Sequence, residues 1–210
     1  MDRYLIKTKR KKEEKEIRHF PSTSGLKQST IHSLKRVVVV EDIKRLKSKL
    51  LLPNQSKSVM IESLKALGMK IPSKEVLQST KIGHTVKRLK QHSDEDIARE
   101  AKRVYIKWKD FFLEGKNRPP IEVKCDKKSE AFRSKGKALL AESLTVEEDH
   151  VLVDAIERET FHQHKQLFSS EYRRTLRTLV LKLKHNPDLR QKVLDGQISV
   201  EMLVKDFKKR

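Results

Sequence analysis

The sequence predicts an all-α protein of two small helical bundles joined by a linker and preceded by a basic tail. Three observations carry this. Apolar residues recur at helical spacing from residue 42 onward. Helix caps and Gly or Pro stops punctuate that pattern, and no segment alternates apolar and polar residues as a half-buried strand would. The chain has 210 residues and an aromatic share of only 5%, which fits two modest cores better than one large one.

Residues 1–40 are rich in Lys, Glu and Ser without an apolar period, and are expected to be a disordered basic tail. The run Val37, Val38, Val39 and Val40 is the exception, read as an apolar lead-in to the first helix. The first bundle is expected over residues 41–115. Asp42 is a candidate cap ahead of Ile43, Leu46 and Leu50, and Pro53 ends that helix. Val59, Met60, Leu64 and Leu67 mark a second, with Gly68 placed for a left-handed cap. Pro72 and Ser73 open a short helix carrying Val76 and Leu77. Gly83 reads as a turn before Val86 and Leu89. Ser93, followed by Asp94, Glu95 and Asp96, opens the longest helix, whose stripe is Ile97, Ala101, Val104, Trp108 and Phe111. Gly115 closes it.

Pro119 and Pro120 cannot continue a helix, so residues 116–129 are expected to be a linker. The second bundle, 130–210, begins with a weaker helix through Phe132, Leu139, Leu140 and Leu144. Thr145 and Glu148 then make a capping-box pattern ahead of Leu152, Ala155, Ile156 and Phe161. Tyr172, Leu176, Leu179 and Leu183 form the stripe of the next helix. Asn186 and Pro187 restart the chain, Gly196 closes that helix, and Ser199 caps a last one with Ile198 and Leu203 at hydrophobic-staple spacing.

The balance of 49 Lys+Arg against 29 Asp+Glu gives a net charge of +20, which draws polyanions or acidic partner segments. A lone cysteine, Cys125, excludes an internal disulfide and any CxxC zinc motif. His162 and His164 face apart on a helix, so no metal or other cofactor is expected. No apolar run approaches the roughly 20 residues of a membrane helix, and the first residues lack the apolar core of a secretory signal, so an intracellular, soluble protein without membrane contact is expected. No Walker loop, GxSxG, HExxH or kinase pattern is present, and the chain is expected not to be an enzyme.

The stretch STKIGHTVKRLKQHSDEDI concentrates Lys81, His84, Lys87, Arg88, Lys90 and His92 around a helix–helix corner, a candidate partner-binding rim. Arg173, Arg174 and Arg177 form a second basic cluster, a candidate contact for polymerase or nucleic acid.

Two longer motifs carry a resemblance. Residues 46–112, through LKSKLLLP and KEVLQSTKIGHTVKRLKQHSDEDIAREAKRVYIKWK, resemble the N-terminal helical domain of transcription elongation factor TFIIS and its relatives. Residues 172–205, YRRTLRTLVLKLKHNPDLRQKVLDGQISVEMLVK, resemble part of the TFIIS central domain. The resemblance implies a nuclear, non-enzymatic adaptor in RNA polymerase II transcription elongation. Its first bundle would dock disordered motifs of elongation or Mediator-related proteins, and polymerase itself is a further implied partner. TFIIS cleaves transcripts through a C-terminal zinc ribbon, whose cysteines this sequence lacks. The net charge supports a rival expectation, a general electrostatic binder of nucleic acid, whose affinity would fall with salt.

Overall fold

The first element departs from expectation. In a computed structural model of the chain, which describes residues 37–113 and 121–208, the valine run forms strand β1 (Val37–Val39) rather than a bare lead-in. It pairs in parallel with β2 (Ile121–Val123), inside the expected linker, with Val37 opposite Ile121 and Val39 opposite Val123. β-branched residues suit a pleated, covered surface, and all three valines of β1 are buried. The tail before Val37 and the expected stop at Gly115 lie outside the described residues.

The helices follow the apolar pattern. Helix α1 (Val40–Leu51) buries Ile43, Leu46 and Leu50. Asp42 does not cap it. It sits in the first turn, where its carboxylate accepts from Lys70 Nζ at 3.0 Å and Gln166 Nε2 at 2.6 Å. Helix α2 (Lys57–Gly68) is capped by Ser56. Gly68 is its last residue rather than a left-handed cap.

Helix α3 (Lys74–Thr80) is capped by Ser73 as expected. The turn before α4 (Ile82–Leu89) falls on Lys81, whose φ of 55° is left-handed, and Gly83 is already helical. Helix α5 (Glu95–Leu113) is capped one residue later than expected. Asp94 Oδ1, not Ser93, accepts from the backbone N–H groups of Asp96 and Ile97 at 2.9 and 3.3 Å. Its stripe is buried through Trp108, whose indole N–H donates to the Lys70 carbonyl at 3.0 Å, and Phe111 is half-buried.

Helix α6 (Lys127–Leu144), capped by Asp126, also corrects an expectation. Phe132 and Leu139 face outward, while Arg133, Gly136, Leu140 and Leu144 are buried. Thr145 takes a left-handed φ of 58° and ends α6 instead of opening the next helix. His150 caps α7 (Val151–Gln163) by accepting from the Leu152 N–H at 3.2 Å. Helices α8 (Ser170–His185), α9 (Pro187–Leu194) and α10 (Val200–Phe207) fall where their caps Ser169, Asn186 and Ser199 place them, and Gly196 supplies the φ of 73° after α9.

Buried apolar residues form two cores, one under α1 to α5 and one under α6 to α10. The two halves nevertheless share a seam, along which α1 packs on α7. At its centre Arg133 donates to both oxygens of Glu157 at 2.7 and 2.8 Å and to Glu41 of α1 at 2.7 Å, with Arg158 reaching the same Glu41 oxygen at 3.0 Å. Tyr172 donates its hydroxyl to Glu157 at 3.0 Å. Burial pushes the Glu41 carboxyl up, but Arg133, Lys44 and Arg158 together outweigh it and hold the group below its ordinary value. Further out, Glu159 takes Arg45 at 3.2 Å and Lys49 at 3.3 Å, and Ser48 donates to Asp154 at 2.6 Å. A buried ionic network of this kind adds little net stability against an apolar replacement, and here it links Glu41 of the first half to Arg133 and Arg158 of the second.

Candidate functional site

The structure divides the basic corner. Lys81 lies at the edge of a cleft of about 890 Å³ between the two halves, which Lys47, Lys137 and Arg158 also line. Lys90 is half-buried with its ammonium 4.1 Å from the centre of the Tyr105 ring, a cation–π contact that occupies it. His84 and Lys87 are exposed and line neither that cleft nor the groove described next. Arg88 and His92 alone of the six come together.

They meet at a groove of about 650 Å³ between the α1–α2 loop and the α4–α5 link. Leu50, Leu52, Met60, Leu89 and Ile97 give it an apolar floor, and Lys57, Arg88 and His92 stand on its rim. The loop side is fixed by Pro53 and by Asn54, whose φ of 59° turns the chain. On the link side His92 Nδ1 accepts from the Asp94 N–H at 3.0 Å, so the ring is held in place. Lys57 is bound by Asp94 at 2.8 Å and Asp96 at 2.6 Å. The bond from Lys57, followed by backbone donation from Ile97, keeps the Asp94 carboxyl below its ordinary value. Arg88 has no carboxylate partner among the described residues, which leaves one exposed guanidinium beside an apolar floor. Sequence reasoning named Arg88 and His92 as candidates but not residues 52–55, because only folding brings the loop beside them; the Pro53 and Asn54 turn was the available signal.

The second cluster is on the outer face of α8, where Arg173, Arg174 and Arg177 are all exposed, and Arg173 lies 5.6 Å from the Phe168 ring centre. Among the described residues no group of three or more His, Cys, Asp or Glu could hold a metal ion. His164 is buried and shares a hydrogen bond of 3.0 Å with Thr175, while His162 is half-buried, 3.7 Å from Asp42. Burial holds the Cys125 thiol above its ordinary value, with Arg133 opposing, the reverse of what an activated thiolate needs. No helix of the described residues is long and apolar enough to cross a membrane.

The family model for the TFIIS helical bundle-like domain matches residues 62–112, from within α2 to the last turn of α5, which includes the link side of the groove. The model for the transcription factor S-II (TFIIS) central domain matches residues 128–206, almost all of α6 to α10. The chain is TFIIS-related. The central-domain match in this TFIIS-related chain begins far ahead of the motif at 172–205 and takes in α6 and α7, the helices that carry Arg133 and Glu157. TFIIS-type domains mediate protein–protein interactions in transcription, are typically non-catalytic, and tie the chain to transcription elongation. No solved structure matches it significantly.

Proposed function

We propose that the chain is a non-enzymatic nuclear adaptor of transcription elongation whose first bundle docks short disordered motifs, combining apolar and acidic residues, from elongation or Mediator-related proteins. The observation that carries this reading is the groove between the α1–α2 loop and the α4–α5 link, apolar on its floor and with Arg88 unpaired among the described residues on its rim. An apolar side chain of the motif fills the floor, and an adjacent carboxylate meets Arg88. The rim charge raises the encounter rate more than it lengthens the complex's life.

The test is binding of synthetic acidic–apolar peptides to the full chain, followed by stopped-flow fluorescence. Arg88→Glu is expected to slow association several-fold and to weaken affinity about ten-fold, the scale of one close charge pair reversed. Lys87→Glu, one residue away but off the groove, is expected to have a much smaller effect. Equal affinity of the Arg88→Glu and parent chains for every peptide bound would remove the groove as the docking site.

A further inference from the structure

A second surface, outside the groove and independent of it, lies on the half that matches the central domain. It begins with the residue that defied the sequence pattern. Phe132 belongs to the apolar period of α6 yet is 54% exposed. Its ring stacks on Phe168, with centroids 5.0 Å apart and planes 21° from parallel. Phe168 in turn packs at 5.6 Å against Tyr172, which the buried Glu157 holds by its hydroxyl. Phe132 is thus the outermost ring of a pile rooted in the second core, and its position is fixed before anything binds. Phe168 is half-buried and Phe132 exposed, and a cation lies over each ring: the flexible Lys135 5.9 Å from the Phe132 centre, where an incoming base would displace it sideways, and Arg173 5.6 Å from the Phe168 centre.

The two helices bearing these groups pack closely at Gly136, against Leu176. A Cβ at that position would fall 2.5 Å from Leu176 Cδ2, so any larger residue must push that side chain aside. The outer stripe of α6 is Lys128, Phe132, Lys135 and Leu139, all exposed, at spacings that place them on one face. The next residue on that face is Glu142, at its C-terminal end, so the stripe is free of carboxylates only as far as Leu139. Beside it α8 presents Arg173 and Arg177, also exposed and one turn apart. The nearby acids are engaged: Glu142 with Lys184 at 3.1 Å, Glu130 with Lys44 at 3.6 Å, and Glu171 with the Ser170 hydroxyl at 3.1 Å.

We propose that the α6–α8 face is a stacking platform for single-stranded nucleic acid, with a base laid on the Phe132 ring and the flanking phosphates on Lys135 and Arg173. Every base has a π-face, so such a platform is tolerant of sequence, and the rows of cations follow a phosphate backbone. Duplex suits it poorly, since stacked and paired bases cannot offer a face to Phe132. An acidic peptide would use the cations but would have no comparable use for an exposed, pre-stacked ring.

The probe is a fluorescein-labelled oligo-uridine of about 12 nucleotides, titrated against the full chain at two salt concentrations, beside a duplex of the same length. Phe132→Leu is expected to weaken single-strand binding about ten-fold, Phe132→Trp to retain it, and both to melt like the parent because the side chain is more than half outside the core. Arg173→Gln is expected to lower the slope of log affinity against log salt by about 0.7, one phosphate contact on a single strand. Parent-like affinity of Phe132→Leu would overturn the proposal and leave only diffuse attraction to the net charge. So would loss of acidic-peptide binding in Phe132→Leu with oligo-uridine binding intact, which would make the face a protein-docking surface. Neither result bears on the Arg88 groove, whose peptide test stands separately.

Discussion

Arg133 is the residue on which the seam turns. It is nearly fully buried and its guanidinium satisfies two carboxylates, Glu157 of its own half and Glu41 of the other, while its face covers the Phe161 ring at 4.0 Å. Replacing it with Met keeps much of the stem's packing but leaves Glu157, 0% exposed, without a cation. The expected cost is about 3–5 kcal/mol in urea unfolding. Converting Glu157 to Gln in the same chain should recover a substantial part, since the uncompensated buried charge is then gone; a single mutant as stable as the parent would contradict this account. Lys81 offers the opposite case. A side chain held at a φ of 55° costs about 1 kcal/mol relative to glycine, so Lys81→Gly is expected to leave stability unchanged or slightly higher in the same assay.

At the scale of elements, Gly136 gives Leu176 of α8 its place against α6. Alanine would gain about 1 kcal/mol of helix propensity there but would drive Leu176 aside, at about 1–3 kcal/mol. Gly136→Ala is therefore expected to lower the melting temperature by a few degrees, a net loss of about 1 kcal/mol measured by thermal unfolding. The same helix shows where the sequence stops being readable. Helices α5 and α8 were legible from their apolar stripes, and α9 and α10 from the caps Asn186 and Ser199. In α6 the inward face carries a charged residue and a glycine, whose partners Glu41 and Leu176 lie on distant elements, so the apolar period pointed to Phe132 and Leu139 instead. Strand β1 was hidden for a related reason, because its partner lies beyond an entire bundle. The expected turn at Gly83 followed glycine's conformational freedom, yet the backbone bends at Lys81. For the groove, the sequence showed the cations of one wall and could not show which of them would share a space with residues 52–55.

At the scale of the whole molecule, the seam ties stability to pH in two windows. His162 and His164 are held below their ordinary pKa, mainly by burial, with Arg45 opposing protonation of the first and Lys208 of the second. The unfolded chain therefore takes up these protons first, and stability falls as pH drops through about 6.5. Glu41, Asp154 and Glu159 also lie below their ordinary values. Burial raises each, but the cations around them outweigh it: Arg133, Lys44 and Arg158 for Glu41, Arg158 and Lys137 for Asp154, Lys49 and Arg45 for Glu159. Their contribution is present above the unfolded carboxylate pKa and is lost below about pH 4. The urea midpoint measured from pH 7.5 downward is expected to show an early decline and then a steeper one. A midpoint flat to about pH 5 would exclude the histidine part.

The pairing of β1 with β2 also decides how the chain carries load. The two strands run the same way, so tension applied before Val37 and after Val123 pulls them past each other lengthwise and strains their hydrogen bonds together rather than one at a time. Force passing along the polypeptide thereby bypasses α1 to α5, and the bundle that bears the Arg88 groove keeps its shape while its neighbours are tugged.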